Sequence, residues 1–241
     1  MGPLFQLFSV GPEWFLRNVN CRDACPARTD VPGYIAMISA GQYDAAYFRN
    51  KEANLFPAIL GRVCTHECEA ACRRGLIDEP VAICALKRFA ADQTHRARIV
   101  QVVDRPQATS GRRVAIIGSG PVGLTAAHEL ALYGHQVTIF ESGPVAGGML
   151  YLGIPEYRLP REFIELEIAT IRALGVELRL NTTVGEVLDF RTLQEEYDAV
   201  LIAVGAHKGF KLQIPGEEEY EGVYDCIDFL RRVNLGDKRR P

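Results

Sequence analysis

Six of the seven cysteines fall within the first 84 of 241 residues: Cys21, Cys25, Cys64, Cys68, Cys72 and Cys84, with only Cys226 beyond them. Thiols this dense are crosslinks, core filler or ligands. Crosslinks need an oxidising compartment. Met1–Phe15 has neither a basic n-region nor a small-residue cleavage site, so no secretory leader is expected, and disulfides are set aside. Buried structural thiols are common and suit the isolated Cys226. They do not account for the repeated gaps of Cys21-x3-Cys25 and Cys64-x3-Cys68-x3-Cys72. Metal ligation remains. Zinc sites pair cysteines at such spacing, often with histidine, but His66 and His95 show no ligand spacing and read as surface or packing residues. A zinc-stabilised helical domain is therefore the lesser alternative.

An iron–sulfur cluster accommodates the pattern better, because it draws four thiolates from short loops and a remote segment. Cys25 precedes Pro26, as in ferredoxin-type runs; proline lacks an N–H and turns the chain away from the sulfur. Gly61 and Gly75 bracket the second group. If Cys64 to Cys72 were helical, the i, i+4, i+8 spacing would place all three sulfurs on one side. The first third reads as short helices: one capped by Asp30 and stopped by Gly41, then about 43–50, 67–74 and 81–94, the last burying Ala82, Ala85, Leu86 and Phe89. Lys87, Arg88, Arg96 and Arg98 make this end basic, which suits either a solvated face or an anionic thiolate cluster.

Gln101–Gly111 reads as a linker, and the pattern then changes. Strand Arg113–Ile117, helix Pro121–Tyr133, strand Gln136–Glu141, helix Arg161–Leu174, strand Val176–Leu180 and the fully apolar strand Asp198–Val204, expected to be central, alternate as in an α/β domain. Domains are expected at 1–105 and 106–241. Gly118-Ser119-Gly120-Pro121-Val122-Gly123 follows the first strand, opens a helix, and is succeeded by a strand ending in Glu141. This is the dinucleotide fingerprint in its full context. Gly118 permits the tight turn, Gly120 lets backbone approach a pyrophosphate, and Gly123 allows close helix–strand packing. Glu141 is placed to accept ribose hydroxyls. Gly147-Gly148 and Ala203-Val204-Gly205, at the carboxyl edge, favour FAD as the dinucleotide.

The run GRVCTHECEAACRRGLIDEPVAICALKRFAAD, then VAIIGSGPVGLTAAHEL and GGMLYLGIPEYRLPRE, resembles the glutamate synthase small-subunit family. It is also similar to the N-terminal part of dihydropyrimidine dehydrogenase and to the large subunit of electron-bifurcating NADH-dependent ferredoxin:NADP oxidoreductases. The resemblance implies an α-helical iron–sulfur domain followed by an α/β Rossmann-like FAD-binding domain. Gly118, Gly120, Pro121, Gly123, Glu141, Gly148, Leu150, Arg158, Val184, Ala203 and Gly205 match flavin-contacting positions. Cys25, Cys64 and Cys68 match cluster ligands, Cys21 and Cys72 those of a second centre. Cys84 lies near where one relative uses a glutamine. Two-cluster members carry an extra cysteine pair where this chain has Ser9–Asn20, so one complete 4Fe–4S cluster is expected, with a second possible. In the family an NAD(P) domain with its own glycine fingerprint is inserted in the FAD domain; this chain stops about where that insertion would begin, so the FAD domain is expected to be incomplete at its C-terminus, as in a fragment, a truncated product or a subunit completed by another polypeptide.

The implied role is passing electrons between NAD(P)H, FAD and the cluster, with a redox partner subunit or acceptor protein and no catalytic acid or base. The alternative is a non-catalytic assembly subunit of a larger redox complex. Composition excludes other classes. Residues are 48% hydrophobic and 24% charged, which supports a core. A net charge of −3 offers no nucleic-acid footprint. The longest apolar stretch, Ala199–Ala206, is far short of the roughly 18 residues of a membrane helix. A cytoplasmic location is expected.

Overall fold

The computed structural model describes residues 18–96 and 107–237. The readings on Met1–Phe15, on most of Ser9–Asn20, on 101–106 of the linker and on the last four residues lie outside them. The chain divides into two compact units, the first running to Ile99 and the second from Val100.

The first unit is helical: α1 Asn20–Asp23, α2 Val31–Ser39, α3 Tyr43–Lys51, α4 Pro57–Val63, α5 Glu67–Ala70, a 3-10 turn Arg73–Leu76, and α6 Ile83–Arg96. Asp30 caps α2 by accepting from the Gly33 N–H at 3.2 Å, with Pro32 in the first turn. The other Asp30 oxygen takes Arg49 Nε at 2.8 Å, which ties α2 to α3. Val31, Tyr34, Ala46, Ile83 and Ala90 form the core, with Cys21 and Cys68 packed against it. Helices α4 and α6 cross at Gly61, where a Cβ would sit 2.8 Å from the Arg88 Cα. Arg62 and Asp92 pair across the same crossing at 2.6 Å, the Arg62 side chain 4% exposed.

Two expectations fail here. The helix expected over 67–74 is broken: Cys64 and Cys72 have extended backbone and His66 is left-handed at φ 64°. The three cysteines therefore do not share one helix face. Helix α6 buries Ile83, Cys84, Ala90, Ala91 and Thr94, while Ala82 and Ala85 are exposed. Its inner stripe is rotated because the close approach at Gly61 selects the Cys84–Ala91 side.

The second unit carries β1 Arg113–Ile117, α7 Pro121–Leu132, β2 Gln136–Phe140, α8 Met149–Leu152, α9 Arg161–Arg172, β3 Glu177–Arg179, α10 Phe190–Glu196, β4 Ala199–Ile202 and α11 Cys226–Asn234. The described strands form one parallel sheet in the order β3-β2-β1-β4. Ile164, Ile168 and Ile171 of α9 are buried as its periodicity predicts. The apolar strand β4 is not central: it flanks β1 at the edge of the described sheet, and Ile202 is 61% exposed. Because β2 lies on one side of β1 and β4 on the other, the order reverses at β1. The crevice beyond its carboxyl end is the topological switch point, where such sheets bind ligands. Cys226, expected to be a buried structural thiol, is exposed at the start of α11, a helix with no buried residue.

Candidate cofactor sites

In the second unit, the turn after β1 builds a cradle from missing side chains. Gly118 adopts φ +106°, and a Cβ there would meet the Ala203 carbonyl oxygen at 2.5 Å. A Cβ on Gly123 would meet the Gly118 oxygen at 2.0 Å, so this glycine seats α7 against the turn. At Gly120 the space is open: no atom lies within 4 Å of where its Cβ would be. Gly120 is also the N-cap of α7 and makes no side-chain cap bond, so the helix presents backbone N–H groups and its positive end there. Gly148, at φ +54°, brings the following loop against the cradle, where a Cβ would lie 2.8 Å from the Gly120 Cα.

These residues open onto a cavity of about 510 Å³. Gly118, Gly120, Pro121, Glu141, Gly148, Val184, Ala203 and Gly205 line it. Gly123 stands behind the turn. Leu150 is buried in α8 and Arg158 is exposed, and neither lines the cavity. A buried arginine close by in sequence, Arg161, donates to the carbonyl of Ile154 at 2.9 Å and to Asn234 Oδ1 at 2.7 Å, pinning the loop after α8 to α11.

The buried Glu141 is more engaged than its sequence position predicts. Its Oε2 accepts from the Ser119 N–H at 2.9 Å and the Ser119 hydroxyl at 2.6 Å. Its Oε1 accepts from the Gly143 N–H at 2.8 Å and the Ser142 hydroxyl at 3.3 Å. All four lone-pair positions of the carboxylate have protein donors, so it braces the turn as well as facing the cavity. Sequence reasoning missed Ser119, Thr182 and Thr183, which also line the cavity. Ser119 is a variable position of the fingerprint, and nothing in the pattern marks it.

In the first unit, Cys84 Sγ lies 3.5 Å from Cys64 Sγ and 3.4 Å from the carbonyl oxygens of Leu60 and Gly61. Lys87 Nζ approaches Cys64 Sγ to 3.8 Å. The Cys64 thiol is held well below the ordinary range by the hydrogen bond from Cys84, aided by the His66 N–H and the Lys87 charge. Cys84 is pushed up as the donor and by burial. Burial raises the Cys25 thiol, but the Thr29 hydroxyl at 3.4 Å, nearby backbone N–H groups and Lys87 bring it below its ordinary value. Burial and then the Cys64 charge push Cys68 up to about 11. His66, read from sequence as a surface or packing residue, has a ring nitrogen grouped with the Cys64 and Cys84 sulfurs, all within 4.8 Å of one another. No spacing rule marks it, because a left-handed residue turns its side chain back toward Cys64. His95 is a packing residue, edge-on to Tyr47 with centroids 5.5 Å apart.

Residues 112–239, more than half of the chain, match the model of the pyridine nucleotide-disulphide oxidoreductase family. The chain belongs to that family. Residues 16–99 match the 4Fe-4S cluster domain II of dihydropyrimidine dehydrogenase. This oxidoreductase chain is thus an iron–sulfur domain followed by a nucleotide-binding oxidoreductase domain, and FAD, a 4Fe–4S cluster and NAD(P)H are the cofactors of its class. Among curated relatives, it is 45% identical to the NADP(+)-dependent formate dehydrogenase subunit beta of Moorella thermoacetica, over 89% of this chain and 33% of that protein. It is 38% identical to the NAD-dependent dihydropyrimidine dehydrogenase subunit PreT homolog of Salmonella typhi, over 98% and 56%. It is 35% identical to the glutamate synthase [NADPH] small chain of Mycobacterium tuberculosis, over 90% and 45%. The resemblance read from the motifs is borne out. The chain spans between a third and just over half of these relatives' lengths. Among the described residues, no helix is long and apolar enough to cross a membrane.

Proposed function

We propose that the chain is an iron–sulfur flavoprotein electron-transfer module that passes electrons between NAD(P)H, FAD and a 4Fe–4S cluster. The carrying observation is the Gly120 opening. A parallel-sheet switch point ends in a cavity of about 510 Å³ whose floor is bare backbone at a helix N-terminus, the arrangement that suits a dinucleotide pyrophosphate. FAD supplies the conversion between hydride chemistry and single-electron chemistry when bound.

The chain's own residues provide binding and orientation. Gly118, Gly120 and Pro121 present backbone to the phosphates. Glu141 and Ser119 fix the turn beside the ribose, while Gly148, Ala203 and Gly205 bound the cavity. In the first unit, Cys25, Cys64 and Cys68 are the thiols offered to the cluster, and Lys87 offsets their negative charge. That charge balance fits an anionic thiolate set.

The relatives named as subunits or small chains support a partner that takes or supplies the electrons. The same names motivate a second reading, in which the chain holds its cofactors without turnover of its own and serves assembly. Absorption spectra of anaerobically purified chain test the main reading: a flavin band with a broad iron–sulfur shoulder is expected, and a colourless protein contradicts it. NAD(P)H:dye reductase turnover by the chain alone would exclude the assembly reading.

A further inference from the structure

A single helical turn shapes one wall of the cavity, and two side chains distant in sequence hold its far end. Helix α8 follows Gly148 directly, and Gly148 and Met149 both line the cavity. One turn is too short to be stable by itself, and its last carbonyls have no helical partners. Arg161 and Asn234 supply them. Arg161 donates to the Leu150 and Ile154 carbonyls at 3.3 and 2.9 Å, and its guanidinium covers the Tyr151 ring at 4.4 Å. The Asn234 amide donates to the Leu152 carbonyl at 2.7 Å, and its oxygen accepts from Arg161 at 2.7 Å. Arg161 is 9% exposed and opens α9. A cation is disfavoured at a helix N-terminus and costly to bury, so its placement serves α8 rather than α9. Asn234 comes from α11, a helix that has no buried residue and does not line the cavity.

We propose that Arg161 and Asn234 are positioning residues that clamp α8 and so couple the docking of α11 to occupation of the cofactor cavity. This rests on the flavin reading above. With the clamp closed, Gly148 and Met149 are held where they wall a bound dinucleotide. When α11 lifts away, the Leu152 carbonyl loses its donor, Arg161 loses an acceptor, and the turn loosens. The coupling runs equally in the other direction: a flavin that fixes Gly148 and Met149 tightens α8 and retains α11. Two hydrogen bonds at stake set its size at about tenfold in affinity.

Hydrogen exchange of the full wild-type chain, with and without saturating FAD, tests this without any substitution. Amides of α11 are expected to exchange about tenfold more slowly with FAD bound. Because α11 does not line the cavity, such protection reaches it through α8. Fluorescence titration with FAD provides the second arm. Asn234→Ala is expected to raise the Kd about tenfold and to abolish the added protection of α11, with the melting temperature of the flavin-free chain nearly unchanged. Arg232→Ala, which removes an ion pair from the same helix, is expected to keep the wild-type Kd. Exchange in α11 that is indifferent to FAD, or a wild-type Kd in Asn234→Ala, reduces the clamp to a static pin and overturns the coupling while leaving the flavin reading intact. Wild-type chain that binds no FAD overturns the flavin reading, and the coupling with it.

Discussion

Three glycines of one turn do three different jobs, and the space around each decides what a substitution does. Gly118 and Gly123 hold the fold, since an added methyl would strike backbone oxygen at 2.5 and 2.0 Å. Gly120 has nothing within 4 Å, so a side chain there enters the cavity without disturbing the protein. Gly120→Val is expected to abolish flavin binding with little change in melting temperature, whereas Gly123→Ala is expected to cost about 1–3 kcal/mol of stability from overpacking. Flavin content and thermal melts of both variants check this contrast. The glycine spacing was legible in sequence because a missing Cβ is a local requirement. The doubled role of Glu141 was not, because its donors, Ser119, Ser142 and Gly143, meet it only once the turn and the loop after β2 have folded. Arg158, which a motif match placed in the flavin set, is exposed and is not among the residues that line the cavity.

Helix α6 shows what an element adds to its residues. Its length was readable from periodicity, but its inner face was not, because the face is chosen by the partner helix. Gly61 makes that choice, its absent Cβ leaving 2.8 Å to the Arg88 Cα. Gly61→Ala is expected to push α4 and α6 apart, costing about 1–3 kcal/mol. It should also lower iron content, because Cys64 and Cys84 sit on the two sides of that crossing; a variant with wild-type stability and iron contradicts this. Further along α6, burial holds His95 down at about 4 from 6.5. A histidine neutral in the fold and charged when unfolded favours unfolding as protons become available. Its stabilising share is present above about pH 6.5 and is lost as pH falls toward 4, on the order of 1 kcal/mol after allowance for partial exposure. The melting temperature of wild type relative to His95→Gln should therefore fall across that window, and a flat difference would contradict it. The break of α5 at Cys72 was hidden for a similar reason: the cysteine spacing reads as helical, but the extended backbone at Cys64 and Cys72 and the left-handed His66 interrupt it.

At the scale of the whole chain, two units with different secondary structure carry two different chemistries. That division was visible in the sequence as a change of period after the linker, from helical repeats with cysteines to alternating strands and helices with glycines. The position of β4 was not visible: its apolar run reads as a demand for burial, yet the strand flanks β1, and Ile202 stands 61% exposed. An apolar strand reports that its faces need cover, not which element supplies it. On the proposed function, each unit binds its own cofactor. Flavin and iron measured in the same anaerobic preparations of wild type and Cys64→Ser test it most directly. Wild type is expected to hold about one flavin and about four irons per chain, and Cys64→Ser to lose the iron while keeping the flavin. Wild-type chain with neither cofactor, or a variant that loses both together, would contradict it.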